Sequence, residues 1–189
     1  EDFTKGLESF GWGDPLSLDL PVSQVPLYQK SLQDPNGLAE SAIGQGRILA
    51  TPLYMALVDG AIANGGVMMQ PYLVQQIRDP GSGVIWTAKP RVLRRVTSPQ
   101  VADQVKQAMV GVVNSGTGTV ANIPGLEVAG KTGSAENPGG APHSWFVAFA
   151  PASNPQVAVC VMVEHGGEGS QVAGPIARQL IQLALNQGG

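Results

Sequence analysis

Cysteine is all but missing from these 189 residues, with Cys160 the only one. A single thiol excludes an internal disulfide and a cysteine-built zinc site. Its place inside the apolar run Val157 to Val163 reads as a buried, inert thiol rather than a nucleophile. Charge is sparse as well. Eleven basic residues against fourteen acidic ones give a net charge of -3, and the only basic grouping is Arg91, Arg94 and Arg95. Without a basic stripe, a nucleic-acid partner is not expected. No apolar run approaches the ~20 residues that span a bilayer, and Glu1-Asp2 does not open a signal peptide. Any membrane anchor is therefore expected outside this chain. The glycine-rich runs Gly116-Thr117-Gly118 and Gly166-Gly167-Glu168-Gly169 lack both the Walker lysine and the order of a dinucleotide fold, so they read as turns and no nucleotide cofactor is expected. His165 has no partner at metal-ligand spacing, and no metal is expected either. There are no internal repeats or low-complexity segments.

What the chain does have is an apolar fraction of 43%, ordinary for a globular protein and enough for a core of its own. The pattern predicts an α/β mixture of the α+β type, an antiparallel sheet with flanking helices. Residues 1–50 read as an irregular lead-in, with turns at Gly11-Trp12-Gly13-Asp14-Pro15, Leu20-Pro21 and Asp34-Pro35-Asn36-Gly37. Residues 51–114 read as helices around a β-hairpin region. Thr51-Pro52 is an N-cap followed by proline, and Leu53, Ala56, Leu57, Ala61 and Ile62 recur at helical spacing until Asn64-Gly65-Gly66. Val67 to Ile77, Val84 to Ala88 and Arg91 to Val96 are β-like. Ser98-Pro99 repeats the cap signal and opens a helix to about Val113, with Val101, Val105, Ala108, Met109 and Val112 expected on its inner face. Residues 115–189 then predict three strands, near Leu126 to Ser134, Ser144 to Ala150 and Gln156 to Glu164, as an antiparallel meander. A last helix over Val172 to Asn186 completes the pattern, with Val172, Ile176, Leu180, Ile181 and Leu185 at helical spacing.

The chemistry concentrates in Gly130-Lys131-Thr132-Gly133-Ser134-Ala135-Glu136. On a strand, Thr132 and Ser134 share one side while Lys131 and Gly133 share the other. Two hydroxyls so placed suit a substrate carboxylate, and Lys131 is long enough to bring its ammonium to the same spot. Gly133 leaves room for another backbone, and an edge strand offers that visitor free N–H and C=O groups. The Ser134 N–H, if it sits near a reacting carbonyl, can donate to a developing oxyanion. The pattern therefore points to acyl transfer on a peptide that ends in a carboxylate. Glu136 and Asn137 are rim candidates. His143, at a strand start beside Pro142, reads as structural rather than as a general base, and Trp145, Phe146 and Phe149 read as core or cleft lining.

Lys131-Thr132-Gly133 resembles the K-T-G triplet of the penicillin-binding transpeptidases. Ile43-Gly44-Gln45-Gly46, Thr51-Pro52-Leu53, Ala61 to Gly66, Ser115 to Thr119 and His143 to Pro151 are similar to that family in its order, and the likeness is greatest to the class B, monofunctional enzymes. The family's S-x-x-K and S-x-N motifs are absent. The resemblance therefore implies the C-terminal part of a transpeptidase domain, one that by itself does not catalyse acyl transfer. It also implies a serine outside this chain that attacks a stem-peptide D-alanine carbonyl, with Lys131 in the proton network, Thr132 and Ser134 on the terminal carboxylate, and β-lactams in the same groove. Ser134 stands where many relatives carry threonine, which keeps the hydroxyl. Peptidoglycan stem peptides, the missing N-terminal part of the domain, and division or elongation proteins are the implied partners, at the extracytoplasmic face of the bacterial membrane. A non-catalytic wall-peptide or β-lactam-binding module is one alternative reading. A D,D-carboxypeptidase or β-lactamase relative is another.

Overall fold

A computed structural model describes residues 2–25 and 32–187. Helices α1 (Asp2–Phe10) and α2 (Pro35–Ala42) precede α3 (Pro52–Ala63), so the opening expected to be irregular is partly helical. The Asp34-Pro35-Asn36-Gly37 turn is in fact a helix start. Asp34 is the N-cap, its carboxylate accepts from Gly37 N–H at 3.1 Å, and Pro35 occupies the first turn. The same device opens α3 at Thr51-Pro52 and α4 (Pro99–Ser115) at Ser98-Pro99. The lead-in is tied to α3 and to the strand that contains Arg94. Tyr54 donates to the Phe10 carbonyl at 2.8 Å, Trp12 meets Tyr54 edge-on at 5.0 Å, and Arg94 pairs with Asp14 at 2.5 Å.

The β-like segment from Val67 to Ile77 divides in two. β1 (Val67–Met69) pairs antiparallel with β4 (Val92–Arg95), and β2 (Gln76–Asp79) pairs with β3 (Gly83–Thr87) as a hairpin. Asp19 marks the break. Its carboxylate accepts from the N–H groups of Leu73 (2.6 Å) and Val74 (2.9 Å), which withdraws them from any ladder and lowers its pKa.

A three-stranded antiparallel meander forms the main sheet, in the order β5 (Ala129–Ala135), β6 (His143–Ala150), β7 (Val157–Val163). The last helix, α5 (Ala173–Gln187), covers one face. Its buried contacts are Ala173, Ala177 and Ile181, while Ile176 and Leu180 are about two-fifths exposed. Small side chains let the helix lie close, and the residue picked out by bulk is not always the one that packs. At Gly174 an added Cβ would come within 2.6 Å of Val120. This face holds a core of Val113, Val128, Phe146, Ala148, Ala150 and Ile181. On the opposite face Ile62, Met109 and Val110 pack on Ala129 and Phe149. Helix α4 therefore buries Ala102, Met109, Val110 and Val113 rather than the full stripe expected, and leaves Val101 and Val105 exposed. Its apolar arc is wider than the surface available to cover it.

Candidate active site

Strand β5 is an edge strand, and its pairing with β6 sets the direction of each side chain. Lys131 stands opposite Val147, Thr132 opposite Phe146, Gly133 opposite Trp145 and Ser134 opposite Ser144. The expected alternation holds. Thr132 and Ser134 lie on the α5 side of the sheet, and Lys131 lies on the α3/α4 side. The lysine nonetheless reaches back over the edge, because Nζ donates to the Thr132 carbonyl at 2.8 Å and stands 3.5 Å from Thr132 Oγ1. Thr132 Oγ1 also shares a hydrogen bond of 2.9 Å with Thr117 Oγ1, just beyond the C-terminus of α4. An ammonium and two threonine hydroxyls thus meet at one point on the strand edge, which is partly open to solvent.

Ser134 is held differently. Its hydroxyl donates to Glu168 Oε2 at 2.9 Å and accepts from Gly169 N–H at 3.3 Å. Behind it Ser144, wholly buried, donates to the Glu168 carbonyl and accepts from Ala173 N–H, both at 3.1 Å. The turn reading of Gly166 to Gly169 therefore captures the backbone but not Glu168. Nothing in the glycine-rich pattern marks that carboxylate as a neighbour of the triplet.

The outer edge of β5 is capped by a side chain. Gln45 Nε2 donates to the Ser134 carbonyl at 3.2 Å, and its Oε1 accepts from Glu136 N–H at 3.1 Å. The carboxamide takes the place of one residue of a neighbouring strand. Since the Ser134 carbonyl faces outward, the ladder geometry turns the Ser134 N–H to the same edge. Gln45 was legible as part of the Ile43 to Gly46 motif, but its reach to β5 was not. Glu136 is engaged here through its backbone. Glycine at 133 also has a reason within the sheet. An added Cβ there would come 3.1 Å from Trp145 Cβ, a tight contact with the cross-strand tryptophan. Glycine at 169 is needed for the complementary reason, because a Cβ there would fall 2.5 Å from the Gly133 carbonyl oxygen.

His143 keeps its structural reading. Its Nδ1 accepts from the His165 N–H at 3.0 Å, which fixes the start of β6 and the left-handed backbone of His165 (φ 52°). Cys160 is half-buried on β7, and its thiol is pushed up to about 12, first by desolvation and then by the nearby Asp59 charge.

On the Lys131 side the sheet opens into a groove of about 400 Å³ between α3 and α4, walled by Met55, Val58, Ile62, Val105, Met109 and Val112, with Lys131 and Val147 from the sheet. Asp59 lines it too. That carboxylate is buried, neither oxygen has a hydrogen-bond partner among the described residues, and burial raises its pKa well above the usual carboxylate range. A larger cleft of about 800 Å³, between Leu18, Tyr72 and Trp86, has no β5 residue in its lining.

Residues 1–182 match the family model described as penicillin binding protein transpeptidase domain. The chain belongs to this family. It is 40% identical over 187 residues to the peptidoglycan D,D-transpeptidase PbpA of Mycolicibacterium smegmatis, a match covering 90% of this chain and 38% of that protein. Among solved structures, the D,D-transpeptidase domain of a peptidoglycan glycosyltransferase from Eggerthella lenta superposes with a TM-score of 0.91 at 37% identity, over 98% of this chain and 48% of that one. Penicillin-binding protein A of M. tuberculosis, as an imipenem acyl-enzyme complex, gives 0.87 at 38% identity, over 95% and 41%. The penicillin-binding fold is thus that of a helix-flanked antiparallel sheet, as the pattern predicted. The chain spans under half the length of these relatives. Among the described residues no helix is long and apolar enough to cross a membrane.

Proposed function

We propose that this chain is the K-T-G-bearing, C-terminal part of a peptidoglycan D,D-transpeptidase that cross-links stem peptides through a serine acyl-enzyme. The serine comes from the remainder of the domain. The single observation that carries this reading is the convergence at the β5 edge, where Lys131 Nζ lies within 3.5 Å of the Thr132 hydroxyl, with Ser134 two residues further along the strand on the same face. In this reading Thr132 and Ser134 bind the substrate's terminal carboxylate and Lys131 supplies positive charge beside the nucleophile. The outward N–H of Ser134 donates to the oxyanion. β-Lactams, each carrying an anionic group, occupy the same edge.

Two features support a companion segment. The Lys131 groove is walled by apolar side chains and holds a buried carboxylate with no partner among the described residues. Strand β7 has no partner on its outer edge among the described residues. Both suit cover by the rest of the domain. Without it the 189 residues are inactive in this reading, and the location proposed with it is the extracytoplasmic face of the bacterial membrane, where peptidoglycan is cross-linked. In the complete protein, Lys131→Ala should slow acylation by penicillin about 10²- to 10³-fold, the effect of removing one preorganised electrostatic group. Stopped-flow acylation kinetics measure this, and an unchanged rate removes Lys131 from the mechanism.

A further inference from the structure

A serine hydroxyl has one proton to donate. In Ser134 that proton goes to Glu168 Oε2 at 2.9 Å, while the oxygen accepts from Gly169 N–H. The backbone that carries Glu168 is fixed on two sides: Ser144 Oγ holds its carbonyl at 3.1 Å, and Gly169 lies against the Gly133 backbone too closely for any side chain. The Glu168 side chain, by contrast, is exposed and reaches the hydroxyl from solvent. An anchored backbone with a free arm delivers a carboxylate to one hydroxyl and can withdraw it without unfolding the loop.

We propose that Glu168 is a specificity-determining residue, whose carboxylate occupies at Ser134 the place that a substrate's terminal carboxylate takes. This rests on the reading of Thr132 and Ser134 as the carboxylate-binding hydroxyls. Two carboxylates cannot share one hydroxyl proton, and at such distances they repel. Any ligand that uses this place displaces the Glu168 side chain to solvent, and an anionic ligand bears in addition the repulsion of the nearby carboxylate. A ligand of the same shape with its carboxylate neutralised meets no like charge. In the unliganded state Glu168 keeps the Ser134 hydroxyl oriented along the edge.

The test compares acylation of the complete protein by penicillin G and by its methyl ester, for the unsubstituted protein, Glu168→Ala and Glu168→Gln. Glu168→Ala is expected to raise the second-order rate constant for penicillin G about fourfold or more at low ionic strength, the factor for like charges about 5 Å apart in water. The gain should shrink in high salt, and the ester, which meets no like charge, should change less than penicillin G and without that salt dependence. Glu168→Gln, which removes the charge and keeps an acceptor, should give a smaller gain of the same selectivity. A structural role moves both ligands together, so equal changes for the two, or a slower penicillin G reaction, overturn the proposal while leaving the transpeptidase reading intact. If the unsubstituted protein is not acylated at all, that reading falls and this proposal with it.

Discussion

The two faces of the β5-β6-β7 sheet are built from the same strands to different degrees of completion. Toward α5, Phe146, Ala148 and Ala150 are fully buried against Ala173, Ala177 and Ile181. Toward α3 and α4 the packing is closed near Phe149 and Ala129, and beyond them it opens into the groove that contains Lys131 and Asp59, whose carboxylate has no hydrogen-bond partner among the described residues. The hydroxyls of Thr132 and Ser134 belong to the finished face, where Thr117, Glu168 and Gly169 hold them. Lys131 is rooted in the unfinished one, and its ammonium reaches over the strand edge to Thr132. One strand thus carries a half whose hydroxyls are already held in place and a half that faces an open groove.

The comparison breaks most directly through packing. Phe146→Ala should cost about 3 to 5 kcal/mol of unfolding free energy, the usual cost of emptying a closed core, whereas Val105→Ala on the groove wall should stay within about 0.5 kcal/mol. Urea unfolding of the two variants measures both, and equal losses would mean that the faces do not differ.

A smaller effect sharpens the comparison through pH. Burial raises the Asp59 pKa in the folded state, so between its unfolded value, near 3.8, and the raised folded value the folded state holds the extra proton. Stability therefore declines as pH rises through that window, by at most about 1.4 kcal/mol per pH unit for one proton, and levels off above it. Asp59→Leu should remove this slope and raise stability at neutral pH by about 1 to 3 kcal/mol, the usual penalty of an unsatisfied buried polar group. Urea midpoints across pH 4 to 8 test this. In the complete protein, a donor brought to Asp59 by the covering segment would flatten the slope without any substitution.

The triplet was legible because strand alternation alone places Thr132 and Ser134 together and leaves Lys131 to reach around. Helix starts were legible where a cap and a proline preceded an apolar repeat, as at Thr51 and Ser98. The same signal at Asp34 was masked by Asn36-Gly37, which favours a turn. What the sequence does not display is contact at long range. Glu168 lies 34 positions from Ser134 in a stretch whose glycines speak only of turns, and Gln45 caps β5 from 89 positions away. Burial on α5 was misassigned because the pattern weights large residues, while close approach to a sheet selects Ala173 and Ala177. Asp59 was invisible within an otherwise ordinary helical repeat, since a buried carboxylate has no local signature.

Peptide mapping by mass after exposure of the complete protein to penicillin G tests the central claim most directly, namely that these 189 residues complete an acyl-enzyme whose serine lies elsewhere in the domain. The account predicts the drug's mass on a serine outside this sequence, within an S-x-x-K motif, and every peptide of residues 1–189 unmodified. An adduct on any residue of this chain, or no adduct on a folded complete protein, would contradict it.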